Sequence, residues 1–238
     1  PAAKRRQQRK KMVSKFLKFL TESKKRSRRL GEKYVLNNIP LIIKDPFVID
    51  INVDAVFDSV SKLVPTKFFS FVDAIYVGDF DIMREREINA MYKDGTIYVS
   101  NYQSDEEDMV DDIIHEIAHA VEDNYMMQIY GDNQIEVEFL SKRSTLKKRL
   151  ELEGFDLRGL NFLNPELDRQ FDEFLHKEVG YATLTSITND LFYSPYGATS
   201  LREYFANGFE CYFHKRDHQF LQKVSPAIYF KLENLMEL

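Results

Sequence analysis

One short run, His115-Glu116-Ile117-Ala118-His119, has the residue types and spacing for hydrolytic metal chemistry. Four helical residues turn through about 400°, so both imidazoles leave one face, about 6 Å apart along the axis. Both can then reach one ion at about 2.0–2.1 Å, and zinc is the metal this pattern predicts. Neutral imidazoles leave zinc's charge largely uncompensated, so that bound water ionises near pH 7. Glu116, beside the first ligand, is placed to accept the water's proton and return it to a leaving amine. The expected reaction is hydrolysis of a peptide bond in a protein or peptide substrate.

A catalytic zinc takes a third protein ligand as well as water. No third histidine follows at short spacing. Glu203 is the leading candidate and Glu210, two turns further along the same segment, is its rival. Ser200-x-x-Glu203 is also a capping box, in which Glu203 would serve only its own helix start. A second pair, His214 and His218, lacks an inner glutamate and sits in a polar run at a helix end, where a cation is favourable without any metal. His176, among charged residues, reads as a surface group, and Cys211 as a small buried residue in an aromatic face.

These residues need elements to carry them. Val110, Ile113, Ile114, Ile117 and Val121 recur at helical spacing, which predicts a helix from about Glu106 to Met127 with one face on a core. Acidic residues crowd its first turns, matching the positive end of the helix dipole. Upstream, Val53 to Val64 predicts an amphipathic helix closed by Pro65, and Phe69 to Val77 a strand ending at Gly78. Ile88 to Tyr92 and Thr96 to Ser100 flank Lys93-Asp94-Gly95 and form a hairpin. The strand from Thr96 to Ser100 is expected to pair with an extended substrate, with Tyr98, Ser100, Asn101 and Tyr102 along the cleft. Downstream, Glu136 to Leu152, Pro165 to Lys177, Ser200 to His214 and Pro226 to Met236 read as helices, and Ser194 to Gly197 as a turn.

Composition limits the surroundings. A lone cysteine in 238 residues excludes an internal disulfide and a cysteine-based zinc module. No apolar run approaches the roughly 20 residues of a membrane helix, and Lys15 and Lys18 interrupt the best signal-peptide candidate, so neither a membrane partner nor secretion is expected. Pro1 is what removal of an initiator methionine would leave. Charge is uneven: residues 1–33 hold 14 Lys/Arg against 2 Asp/Glu, a balance of +12, and the remainder stands at −17. The chain thus divides into a basic arm, 1–33, and a body, 34–238. In the arm, Met12, Val13, Phe16, Leu17, Phe19 and Leu20 fall near a helical period. Such an arm is either a solvated tail or a docking element for nucleic acid or an acidic protein surface.

The run Ser194-Pro195-Tyr196-Gly197-Ala198-Thr199-Ser200-Leu201-Arg202-Glu203-Tyr204-Phe205-Ala206 resembles the second signature of the lethal-factor-like metallopeptidases, gluzincins that include the Pro-Pro endopeptidases. The resemblance spans Phe69 to about Phe213. It implies an α+β, zincin-like metallopeptidase domain: a small mixed sheet packed on the H-E-x-x-H helix, with a largely helical C-terminal half. It implies Glu203 as the third ligand, and Tyr196, seven residues earlier, as the donor to the transition-state oxyanion. The 84 residues from His119 to Glu203 exceed the usual family gap, and residues 135–180 read as a charged helical insertion. With Phe139-Leu140-Ser141-Lys142-Arg143 in that insertion, the chain looks similar to metallopeptidase-like proteins of tailed bacteriophages. That likeness implies a virion or host-cytoplasm setting with virion proteins as neighbours, and offers a second reading as a virion assembly component docked through its arm.

Overall fold

A computed structural model describes residues 34–238. The basic arm, with its expected helix and docking role, lies outside the described residues.

The described chain is α+β, a small mixed sheet followed by a helical half. Strands β1 (Tyr34–Leu36), β2 (Ile39–Ile43), β3 (Ala74–Gly78), β4 (Ala90–Lys93) and β5 (Thr96–Ser100) form one sheet in the order β1-β2-β3-β5-β4. The central pairs β2/β3 and β3/β5 are parallel, and the outer pairs β1/β2 and β4/β5 antiparallel. Asp94 and Gly95 both take positive φ, which the two-residue hairpin turn between β4 and β5 requires. Alternation sends Leu41, Ile43, Ile75, Val77, Ile97 and Val99 to one face, where all are buried.

Helix α1 (Val53–Leu63) buries Val53, Val56, Phe57 and Val60 against this face, and Asn52 caps it by accepting from the amide of Ala55. The expected strand from Phe69 splits in two. Residues Thr66–Phe71 form a 3-10 turn after Pro65, sinking Phe68 and Phe69 into the core, and β3 starts only at Ala74. A short helix, α2 (Asp81–Arg86), precedes β4.

Helix α3 (Glu106–Tyr130) is central rather than one-faced. Ile113, Ile114, Ile117, Ala118, Ala120 and Val121 are all fully buried, because the sheet flanks one side and a later helix the other. Asp105 caps its start by accepting from the amide of Asp108. Helix α4 (Gln134–Leu152) begins the segment read as an insertion, yet Ile135, Phe139, Leu146 and Leu150 belong to the common core.

Two buried cations on α4 tie down distant loops. Lys142 donates to the carbonyls of Leu191 (2.6 Å) and Val224 (2.5 Å) and to Ser225 Oγ. Arg143 lies over the Phe171 ring and donates to the carbonyls of Asn161 and Asn164. Then follow α5 (Arg169–Glu173), continued by a π turn at Phe174–Val179, and α6 (Tyr181–Thr188). After a 3-10 turn at Pro195–Ala198, α7 (Leu201–Glu210) runs on through a π turn at Cys211–Lys215. Helices α8 (His218–Val224) and α9 (Pro226–Glu237) end the chain. Among the described residues no helix is long and apolar enough to cross a membrane.

Candidate metal centre

Helices α3 and α7 pack against each other and carry the two halves of the site. Nε2 of His115 lies 3.0 Å from Glu203 Oε2, and Nε2 of His119 lies 3.6 Å from Glu203 Oε1. His115, His119 and Glu203 offer ligand atoms within 4.8 Å of one another, a cluster that could hold a metal ion. Half of the predicted capping box is present, since Ser200 Oγ accepts from the Glu203 amide at 3.2 Å. The carboxylate of Glu203 is turned to the imidazoles, so one residue closes its helix start through its backbone and faces the cluster through its side chain.

The outer ring nitrogens are held as well. Nδ1 of His115 bonds to Glu210, and Nδ1 of His119 meets Glu122 Oε2 at 3.3 Å. Each Nδ1 thus faces a carboxylate that accepts its proton, while Nε2 faces Glu203; loss of the Nε2 proton alone would leave the tautomer a metal needs. Glu210, the rival ligand, is thereby placed behind His115. Glu122 is 2% exposed and also accepts from Tyr130 Oη (2.5 Å) and Arg202 Nε (2.8 Å). Arg202 reaches Asp123 too, at 3.0 Å. A further clamp joins the two helices: His214 Nδ1 meets Asp111 at 2.7 Å and its Nε2 meets Glu107 at 2.9 Å. This histidine is a strut between the helices. His176 is exposed, and Cys211 is fully buried.

Charge in the cluster is strongly coupled. Burial works against a charged His115, yet Glu210 and Glu203 hold its imidazole well above the ordinary histidine range. Burial likewise opposes charge on His119, but Glu122 and Glu203 push it up to about 9. Burial would raise Glu203, and the two imidazoles outweigh it, keeping the carboxyl far below the usual range. Burial raises Glu116, against the pull of both histidines and a backbone hydrogen bond from Tyr92. Asp112, one turn before Glu116, is raised to about 7 by burial, helped by the charges of Asp108 and Glu116. Carboxylates buried this densely require cationic partners. Two protonated imidazoles meet that need in the free protein, and one divalent ion meets it with the imidazoles neutral. The donor set, two imidazole nitrogens and a carboxylate, is one that zinc accepts in hydrolytic sites.

Tyr196 sits in the 3-10 turn ahead of α7, its ring centroid 6.3 Å from that of His115. Burial and the nearby Glu203 raise its hydroxyl, so it is a proton donor at neutral pH. The turn is fixed from three directions: Thr199 Oγ1 donates to the Tyr196 carbonyl, Ser194 Oγ to Asn207, and the Gly197 amide to the Ser194 carbonyl. A side chain at Gly197 would press on Asn207 Oδ1, 2.9 Å from the position of its Cβ.

A cleft of about 870 Å³ opens over this cluster, lined by His115, Glu116, His119, Glu203 and Tyr196 and bordered by Ala90, Met91 and Tyr92 of β4. This corrects one expectation. Strand β5 is interior, paired on both sides by β3 and β4, and has no free edge for a peptide. Tyr98 stacks on Tyr76 at 5.9 Å, on the sheet face away from the helices, while Ser100 Oγ accepts from the Tyr102 amide. The Asn101 side chain donates to the Pro46 carbonyl at 2.9 Å. None of the three lines the cleft, and its open strand edge belongs to β4.

Sequence reasoning missed Glu122, Arg202 and Tyr130. Glu122 carried a readable signal, standing three residues after His119 on the same helix, where i and i+3 side chains meet. Arg202 and Tyr130 carried none. In comparisons with protein-family models, with curated proteins and with solved structures, nothing matches this chain.

Proposed function

We propose that this chain is a zinc-dependent endopeptidase with a zincin-like site. One observation carries the reading: both Nε2 atoms converge on the Glu203 carboxylate while both Nδ1 atoms are bound by separate carboxylates. His115, His119 and Glu203 would hold the zinc. When bound, zinc supplies a Lewis acid that polarises a substrate carbonyl and makes water acidic near neutral pH. Glu116 takes a proton from the attacking water and delivers it to the departing amine; burial raises its carboxyl, which makes it a stronger base than an exposed glutamate. Tyr196 donates its hydroxyl to the oxyanion as it forms, a bond strongest in the transition state. The open edge of β4 receives an extended peptide through backbone hydrogen bonds, which orients the scissile bond over the cluster.

The test is Glu116→Gln in the full chain, followed by zinc content and cleavage of a peptide mixture. Expected are one zinc per chain in both proteins and loss of cleavage in the variant alone. Undiminished cleavage by Glu116→Gln would overturn the mechanism.

A further inference from the structure

The two ends of the cleft differ in charge. Helix α7 runs antiparallel to α3: Arg202 at its start meets Glu122, and His214, in the turn that continues it, meets Asp111. His115, His119 and Glu203 lie between these contacts. Beyond them, toward the first turns of α3, stands Asp112, one helical turn and about 6 Å of rise before Glu116. That spacing puts both carboxyls on one side of α3, and both line the cleft. Strand β4 passes the same points in the same order. Its Tyr92 meets Glu116 through the backbone, and the carbonyl of Asn89, just before the strand, accepts from the Ser100 amide at 2.7 Å. Gln103 joins that end to Asp112, donating through Nε2 to the Ser100 carbonyl at 3.1 Å and to Asp112 Oδ2 at 3.0 Å.

The neighbouring acids have cations or imidazoles. Asp111 has His214 and Lys215, Glu210 has His115, and Glu203 has both imidazoles of the cluster. Asp112 does not. Among the described residues its side chain has one hydrogen-bond partner, the neutral amide of Gln103, and burial lifts its carboxyl to about 7. Gln103 is itself 5% exposed and its Oε1 has no partner, so this pair holds more acceptors than donors. The two arginines of the cleft are engaged elsewhere, Arg202 on Glu122 and Asp123, and Arg86 beside Asp172 and Tyr196.

We propose that Asp112 is a specificity-determining residue, which receives a lysine or arginine side chain of the substrate close to the scissile bond, on the Asn89 side of the cleft. The inference rests on the peptidase reading above. An extended peptide along β4 advances about 3.3 Å per residue, so the rise from Glu116 to Asp112 corresponds to roughly two residues. An ammonium or guanidinium group carries several N–H donors, which suits a carboxylate whose neutral neighbour is short of donors. The same carboxylate selects against other side chains. A glutamate would meet like charge, and an apolar side chain would leave a buried carboxylate unpaired. The cation completes the one half-buried acid of the cleft that has neither a cationic partner nor a place in the chemistry.

The test uses the zinc-loaded full chain and N-acetylated peptides, so that no free amino terminus supplies the cation. Lysine, arginine, norleucine or glutamate is placed in turn at each position, and cleavage is mapped by mass spectrometry. At one position beside the scissile bond, kcat/KM for lysine and arginine should exceed that for norleucine by about 30-fold, with glutamate lowest. Asp112→Asn, which keeps an acceptor for Gln103, should erase that ratio while zinc content stays at one per chain. A preference that survives Asp112→Asn, or a parent that favours norleucine at every position, would overturn the proposal. Binding separates this inference from the peptidase reading. In Glu116→Gln, fluorescence anisotropy should show the lysine peptide bound about 30-fold more tightly than its norleucine counterpart, and adding Asp112→Asn should remove the difference. A parent that cleaves nothing would sink the peptidase reading alone; equal affinity for the two peptides in Glu116→Gln would sink the role of Asp112.

Discussion

Removing the carboxylate behind His115 separates an orienting role from a ligating one. Glu210 bonds to Nδ1, while Glu203 faces Nε2 of both imidazoles. In Glu210→Gln an acceptor oxygen remains and only the charge is lost; in Glu210→Ala both go, and the ring is free to turn. Loss of such an outer partner weakens metal binding by about 10- to 100-fold, or about 1.4 to 2.7 kcal/mol. The glutamine variant belongs at the low end of that span and alanine at the high end, with stoichiometry still one. Glu203→Gln, by contrast, removes a ligand, and its affinity should fall well below that of either Glu210 variant. Zinc affinity measured by competition with a chromophoric chelator at fixed pH gives all three values. The ranking is the test: if Glu210→Ala loses zinc and Glu203→Gln keeps it, the two glutamates have exchanged roles and the site is misread.

Zinc binding should also release protons. With His119 held near 9 and His115 raised, both imidazoles are charged at pH 7 without metal, so about two protons leave per ion; ordinary histidines would release only about half a proton in total. Calorimetry in buffers of different ionisation enthalpy counts them, and affinity should climb with pH from neutrality through about 9, where His119 loses its proton. Tyr196→Phe should lower kcat by about 10²- to 10³-fold, as expected for one lost oxyanion donor, with KM and zinc affinity unchanged; an equal rise in KM would instead mark a substrate-binding role. Gly208 packs on Ile228, and a Cβ there collides with that side chain. Gly208→Ala should therefore cost about 1–3 kcal/mol in thermal or denaturant unfolding, and an unchanged midpoint would refute the packing.

What the sequence disclosed followed the range of the interactions. His115, Glu116 and His119 were legible because one helical turn brings them together without help from the rest of the fold. Glu203 and Glu210 could not be ranked by spacing, since both lie on one helix; the choice depends on how α7 crosses α3, which Arg202–Glu122 and His214–Asp111 fix from opposite ends of α7. Strand order was hidden for a related reason. A hairpin reads the same whichever of its strands is interior, and the place of β5 beside β3 is decided by a parallel pairing that skips β4. A cue was present nonetheless: Ile97-Tyr98-Val99 is apolar on both faces, as an interior strand is, whereas β4 ends in Lys93 at the open edge. The burial of Lys142 and Arg143 was not legible in a segment that reads as charged, because their partners are backbone carbonyls distant in sequence. Lys142 holds the Leu191 carbonyl a few residues before Tyr196. That segment thus anchors the loop leading to Tyr196, so cutting it away should disturb Tyr196 before it disturbs the cluster of His115, His119 and Glu203.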